Sequence, residues 1–308
     1  MTKCSAPGKM ILFGEHAVVF GKPALALAID LRIVAEVTLA DEYTVNRNPM
    51  KKRSHAYISA SLDEAWGGPP IDVRTVSRIP SGSGLGSSAA LTVSCVAALL
   101  SAKGETTSEG VARRAFEVEN MVQGRASPTD TSASTHGHGI IVSSDLLDGL
   151  LWRIEKGERK WNVHHCDVPE LGFVVGYTGI NASTRLLAAK VKKLVDSDGD
   201  ARKAVDRIGE IVLEGVEATK KNDKKSLGSL MNENHALLNR LGVGHPMLDK
   251  LVEACSGHSY GAKMTGAGGG GSMIALTDDP GAVSKAIRDA GGEPIIARVG
   301  CEGVRVER

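Results

Sequence analysis

The spacing of hydrophobic and polar positions changes several times along this chain, and each change marks an element. Residues 4–13 and 24–39 carry apolar runs, the second ending in the alternating Arg32-Ile33-Val34-Ala35-Glu36-Val37-Thr38, and both predict strands. Residues 41–70 are polar and contain Gly and Pro, which predicts a long loop around a short helix near 56–66. In the next strand Ile71, Val73, Thr75 and Ile79 fall on one face, with Asp72, Arg74 and Arg78 on the other. Residues 89–102 are rich in Ala and Leu and stop at Gly104, the pattern of a buried helix. Thr106 and Glu109 have the spacing of a capping box, opening a helix that runs to about Gln123 with Gly124 as its stop. Segments near 139–144, 150–155 and 161–166 are β-like. From Gly172 the composition turns to long polar helices, roughly 183–196, 200–221 and 224–240. A βαβ-like tail follows, with a strand at 272–277, a helix at 280–290 and strands near 294–299 and 303–307. The shift near residue 170 divides the chain into 1–170 and 171–308, without an internal repeat.

Between the strand at 71–79 and the helix at 89–102 lies Ile-Pro-Ser-Gly-Ser-Gly-Leu-Gly-Ser-Ser-Ala-Ala-Leu, residues 79–91. Glycine at alternate positions (Gly82, Gly84, Gly86) permits the positive φ angles that turn successive N–H groups toward one point. Followed by a helix N-terminus, such a turn makes an anion site, most often for phosphate. The loop lacks the Gly-Lys-Ser/Thr of a Walker A motif. Its glycines stand at first, third and fifth places instead of the first, third and sixth of a dinucleotide fingerprint. The competing reading is a tight turn whose small residues serve helix packing.

Composition narrows the function. With 37 Lys and Arg against 36 Asp and Glu, the net charge of +1 argues against a nucleic-acid-binding surface. No apolar run reaches membrane-spanning length, and the N-terminus lacks the apolar core of a signal peptide. The five cysteines (Cys4, Cys95, Cys166, Cys255, Cys301) are scattered and form no Cys-x-x-Cys pair. They suit a reducing cytoplasm and neither a disulfide framework nor zinc. Glycine is in excess, 36 of 308 residues, and much of the excess lies in two short loops, which points to backbone shaped around a ligand.

The helix at 107–123 carries a second clue. Val111, Val118, Val122, Ala115, Ala112 and Phe116 fill one arc of about 160°, and Glu119 lies in its middle, while Glu117, Arg113 and Asn120 face the opposite side. A carboxylate inside an apolar face is costly unless it is paired or holds a metal, so a salt bridge to a neighbouring element is the alternative. Farther on, Asp130 follows Pro128 in a turn that could present it beside the end of this helix. A metal-holding Glu and a nearby free Asp are what phosphoryl transfer to an alcohol needs: one anchors Mg²⁺ on the phosphates, the other accepts or orients the hydroxyl proton. The second glycine loop, Lys263-Met264-Thr265-Gly266-Ala267-Gly268-Gly269-Gly270-Gly271, runs into the strand at 272–277. It reads as backbone approaching a ligand or another loop rather than as a flexible linker. His136, His138, His164 and His165 have no Cys or acidic neighbours at ligand spacing and are not taken as metal ligands. No Gly-x-Ser-x-Gly elbow is present, so Ser87 and Ser88 are not read as acyl nucleophiles.

Three segments together, Pro7-Gly8-Lys9 through Gly14-Glu15-His16, then Pro80 to Ala90, then Lys263 to Gly271, resemble the superfamily of galactokinases, homoserine kinases, mevalonate kinases and phosphomevalonate kinases. Their order matches, and the resemblance covers essentially the whole chain. Residues 6–25, with Gly-Glu-His followed by Ala-Val-Val, look most like the mevalonate kinase branch, archaeal type. The resemblance implies an α+β fold with two domains: an N-terminal ATP-binding domain of the ribosomal-protein-S5-like type and a C-terminal ferredoxin-like domain, with the active site in the cleft between them. By motif position Asp130 matches the family's catalytic aspartate and Lys9 the lysine beside it. Glu119 and Ser88 match the Mg²⁺ ligands. Pro80, Ser81, Gly82, Ser83, Gly84, Leu85, Gly86, Ser87 and Ser88 match the ATP phosphate loop. Glu15 and His16 lie in the segment that meets the substrate, and Thr184 resembles a substrate-pocket threonine. Pro128-Thr129-Asp130 stands where the animal-type enzymes have Pro-Ser-Gly-x-Asp, so contacts from the flanking residues are not carried over.

The implied activity is ATP-dependent phosphorylation of the 5-hydroxyl of mevalonate, giving 5-phosphomevalonate for isoprenoid synthesis, in the cytoplasm and with a homodimer as the common family assembly. The alternatives are a related kinase acting on phosphomevalonate, pantoate or another small alcohol, and a catalytically dead ligand sensor. Lys9, Glu119 and Asp130 are all present, which weighs against the sensor.

Overall fold

The computed structural model describes residues 1–124 and 126–307. In chain order the elements are β1 (Thr2–Phe13), a 3₁₀ turn (Ala17–Phe20), β2 (Ala24–Leu39), β3 (Thr44–Val45), β4 (Asn48–Pro49), α1 (Ala56–Ala65), β5 (Ile71–Ser77), α2 (Ser87–Lys103), α3 (Ser108–Gln123), α4 (Thr129–His136), β6 (Gly139–Ser143), β7 (Leu150–Lys156) and β8 (Arg159–Cys166). They continue as β9 (Gly172–Tyr177), α5 (Thr184–Ser197), α6 (Gly199–Lys220), α7 (Lys224–Arg240), α8 (Pro246–Ala254), β10 (Gly261–Thr265), β11 (Ser272–Leu276), α9 (Pro280–Asp289), β12 (Glu293–Arg298) and β13 (Arg305–Val306).

Two sheets organise the fold. The larger follows β4-β3-β5-β2-β6-β8-β7, and β1 joins it through β2. The 16-residue β2 holds β1 along one edge, with β6 against its start and β5 against its end on the other. Helices α2 and α4 pack on β1 and β2, with α1 and α3 packed against α2. Helix α2 is apolar nearly all round, as a helix between a sheet and other helices must be, and its buried residues run from Ala89 to Leu100. The smaller sheet has the order β10-β11-β9-β12, every neighbouring pair antiparallel. Because β11 and β12 both flank β9 and α9 joins them, the tail is a split βαβ unit, the ferredoxin-like arrangement the family resemblance implies. The chain then returns to the first sheet, where β13 pairs with β1.

Several local expectations are corrected. The cap of α3 is Thr107, whose hydroxyl accepts from the Gly110 amide at 3.1 Å, not Thr106; Glu109 sits in the first turn without closing a capping box. Asp72, expected with Arg74 and Arg78 on the face opposite the apolar one, is buried, with Thr44, the Arg47 amide and Arg74 all donating to it. Asn120 likewise turns inward, donating to the Phe116 carbonyl and accepting from the Ala126 amide. Lys263, Met264 and Thr265 belong to β10, so the second glycine run is the turn of a hairpin. Strands β9 and β10 and helix α8 had no counterpart in the hydrophobic pattern.

Candidate active site

The Pro-Gly-Lys segment brings β1 against the glycine loop. A Cβ on Gly8 would lie 2.7 Å from the Leu85 carbonyl oxygen and 2.9 Å from Ile79 Cδ1, so only glycine lets the loop close over the strand here. With the loop seated, the Lys9 amide donates to the Leu85 carbonyl at 2.9 Å. The Lys9 side chain runs beneath the loop: its ammonium donates to the Gly84 carbonyl at 3.3 Å and pairs with Asp130 Oδ2 at 3.1 Å. Lys9 is only 3% exposed, and Asp130 is the half-open partner.

Gly82, Gly84 and Gly86 all adopt positive φ, at 73°, 77° and 76°, as the alternating pattern predicts. Gly86 is the N-cap of α2, whose free amides and dipole face the space above Ser87 and Ser88. Packing also constrains Gly86, since a Cβ there would meet Lys9 Cγ at 2.8 Å. Ser88, in the first turn of α2, donates to Glu119 Oε1 at 3.2 Å.

Glu119 is 2% exposed. Among the described residues no cation forms an ion pair with it, since Lys9 pairs with Asp130 instead. Burial and the neighbouring Asp130 push its carboxyl up to about 8. Both of its hydrogen-bond donors, Ser88 and Gln123, sit on Oε1, which leaves Oε2 without a donor among the described residues. A buried carboxylate with one uncommitted oxygen beside a hydroxyl, at a helix N-terminus suited to phosphate, has the donor set for Mg²⁺ carried on a nucleotide.

Asp130 occupies the first turn of α4, just after Pro128, where the helix dipole favours an anion. The structure thus brings Lys9, the 80–88 loop, Ser88, Glu119 and Asp130 to one place. Glu15 and His16 are built differently. The Glu15 carboxylate is 1% exposed and is held by an ion pair with Lys263 and by Asn234 Nδ2 at 3.1 Å. Burial pushes Glu15 up and Lys263 down, and each opposes the other's shift. His16 lies at positive φ, with Nε2 2.9 Å from the Ala267 carbonyl, so this nitrogen carries the proton; burial keeps the ring neutral. Both residues thus face the second glycine hairpin. Thr184 is the exposed first residue of α5.

That hairpin in turn packs on the phosphate loop. The ideal Cβ positions of Gly266 and Gly271 lie 3.7 Å from Gly84 O and 3.6 Å from Ser83 O. Thr265 Oγ1 bridges the amide and carbonyl of Ile11 at 3.1 and 3.0 Å. Tyr177 donates to the Ser81 carbonyl at 3.3 Å, and Asn181 covers Gly82. Pattern reading missed Tyr57, Gln123, Asn181 and Asn234. Tyr57, Asn181 and Asn234 have partners remote in sequence, whereas Gln123 stands one turn from Glu119, a spacing that could have signalled it.

Comparisons with known proteins agree with this architecture. A family model described as the GHMP kinases N terminal domain matches residues 54–138, and one described as GHMP kinases C terminal matches 216–294. Proteins named mevalonate kinase from Thermococcus sibiricus and Pyrococcus horikoshii are each 36% identical, the alignments covering 98% of this chain and 97% of theirs. Among solved structures, a mevalonate kinase of L. major in complex with R-mevalonate superimposes with a TM-score of 0.83 at 26% identity, covering 98% of this chain and 97% of that one. By both domains and over nearly its whole length, the chain belongs to the GHMP kinase family.

Proposed function

We propose that this chain is a mevalonate kinase, transferring the γ-phosphoryl group of ATP to the 5-hydroxyl of mevalonate. The observation that carries the phosphotransfer reading is the Lys9–Asp130 pair, 3.1 Å apart, beside the N-terminus of α2. The relatives, named for mevalonate over almost their full length, favour that alcohol over phosphomevalonate or pantoate.

Each residue has a role in this reading. The amides of the 80–88 loop and the α2 N-terminus bind the β- and γ-phosphates. Asp130 accepts or orients the proton of the attacking hydroxyl, and Lys9 fixes its carboxylate and supplies a counter-charge beneath the loop. Ser88 Oγ and Glu119 Oε2 would hold Mg²⁺. When bound, that ion neutralises charge building on the phosphate oxygens. His16 and Thr184 line the side that receives mevalonate, and Glu15 works from beneath by holding Lys263 and its hairpin.

The finer assignments belong to the same proposal: a division between domains at 170/171, a homodimer that sedimentation would reveal, and a cytoplasmic setting, supported by five unpaired cysteines. Among the described residues, no helix is long and apolar enough to cross a membrane. A coupled ADP-release assay across mevalonate, phosphomevalonate, pantoate, homoserine and galactose tests the reading. The highest kcat/KM is expected with mevalonate, and a higher value with any other alcohol overturns the substrate assignment.

A further inference from the structure

Glu119 and Ser88 are held by a small network whose outer members neither touch a phosphate loop amide nor belong to the Lys9–Asp130 pair. Gln123 lies one turn beyond Glu119 on α3, so the two side chains share a face. Its Nε2 donates twice, to Glu119 Oε1 at 3.3 Å and to the Tyr57 hydroxyl oxygen at 3.2 Å. Tyr57 comes from a third helix, in the first turn of α1. The four residues therefore form a chain of hydrogen bonds across α1, α3 and α2: Tyr57 to Gln123, Gln123 to Glu119, and Glu119 to Ser88.

The network has a chemical consequence. A serine hydroxyl that gives a lone pair to a cation still carries one proton to donate, and that proton must meet an acceptor. Here Glu119 Oε1 takes it at 3.2 Å. Gln123, by loading Oε1 as well, leaves the other carboxylate oxygen as the one open to a cation among the described residues. Without Tyr57 the Gln123 amide loses the partner that fixes its rotamer, because Gln123 itself is exposed.

We propose that Tyr57 and Gln123 are positioning residues that hold Ser88 and Glu119 in the arrangement that takes a divalent cation on the nucleotide. This rests on the phosphotransfer reading above. Neither residue is a ligand; both act through Glu119 and Ser88. Outer-shell partners of this kind are worth about 10–100-fold in metal affinity or activity.

The experiment uses the full chain with a non-hydrolysable ATP analogue and Mn²⁺ as a paramagnetic probe, read by the free-ion resonance signal. Tyr57→Phe removes one oxygen and keeps the ring; Gln123→Leu alters an exposed side chain and serves as the second variant should the first fold poorly. Each is expected to weaken Mn²⁺ binding in the nucleotide complex about 10-fold, with the double variant no weaker than Gln123→Leu, since Tyr57 acts through that amide. In steady-state assays the Mg²⁺ requirement rises while KM for the alcohol stays at the wild-type value. Wild-type Mn²⁺ affinity in folded Tyr57→Phe overturns the proposal. If the wild-type protein itself binds no Mn²⁺ with the nucleotide, the phosphotransfer reading fails and takes this proposal with it.

Discussion

Lys9 and Asp130 meet at 3.1 Å although one lies in the first strand and the other in the first turn of α4. The bulk of Lys9 is enclosed under the phosphate loop, and its ammonium meets the Gly84 carbonyl and this carboxylate. Positioned proton transfer contributes about 10²–10⁴-fold, equivalent to roughly 2.7–5.5 kcal/mol of barrier. Asp130→Asn is expected to lower kcat at least about 10²-fold with ATP still bound, measured by single-turnover kinetics and nucleotide titration. Lys9→Met should also lower kcat, and the double variant should lose less than the product of the two. A fully active Asp130→Asn protein removes the residue from the chemistry.

Gly84 and Gly86 share a positive φ but differ in what surrounds them. At Gly84 an added methyl meets only Thr265 O at 3.6 Å, whereas at Gly86 it meets Lys9 Cγ at 2.8 Å. Gly84→Ala should therefore carry backbone strain of about 1–2 kcal/mol and little else. Gly86→Ala should carry the same strain and also displace Lys9, lowering kcat more than it raises KM for ATP. Equal losses in the two variants would show that strain alone governs the loop.

The Glu15–Lys263 pair is enclosed, at 1% and 0% exposure. Removing one partner of such a pair strands the other charge and costs about 3–5 kcal/mol. Lys263→Met is expected to destabilise the chain by that amount in urea unfolding, and Glu15→Gln with Lys263→Met should recover most of it. No recovery in the double variant would mean that packing of the lysine stem, not charge, is what the site needs.

His136 supplies a pH dependence. Its Nε2 is 2.8 Å from His165 Nδ1, with His138 alongside, and burial together with these rings pushes it down to about 4. A depressed histidine favours the folded state above its unfolded value, near 6.5, and that contribution is lost as pH falls toward about 4. In thermal melts between pH 7 and pH 4, on the order of the window just given, His136→Gln should lose stability less steeply than wild type. Parallel curves would contradict the assignment.

The parts legible in the sequence were those fixed by local rules. Gly82, Gly84 and Gly86 announce left-handed backbone by composition alone, and Ala89 to Leu100 announce a helix covered on every side. Glu119 stands out because a carboxylate in an apolar arc violates the pattern around it. What escaped depends on partners far along the chain. Asp72 and Asn120 look exposed by periodicity, yet residues 44–47 and Ala126 draw them inward. Lys263 reads as the start of a loop until Glu15, 248 positions away, explains its burial. Tyr57 gave no signal because its helix begins inside a polar stretch and its partner Gln123 sits on another helix. Strand β9 is a short run at the head of long helices, where the change in composition hides it.

Ile11 with Thr265, Glu15 with Lys263, and His16 with Ala267 join the end of β1 and the segment after it to the second hairpin. Rivets set along one seam behave as the spine of a book: they resist sliding of the hairpin past the strand. Lys9 lies on the same strand as Ile11, so the row that pins the hairpin also anchors the strand from which Lys9 reaches Asp130.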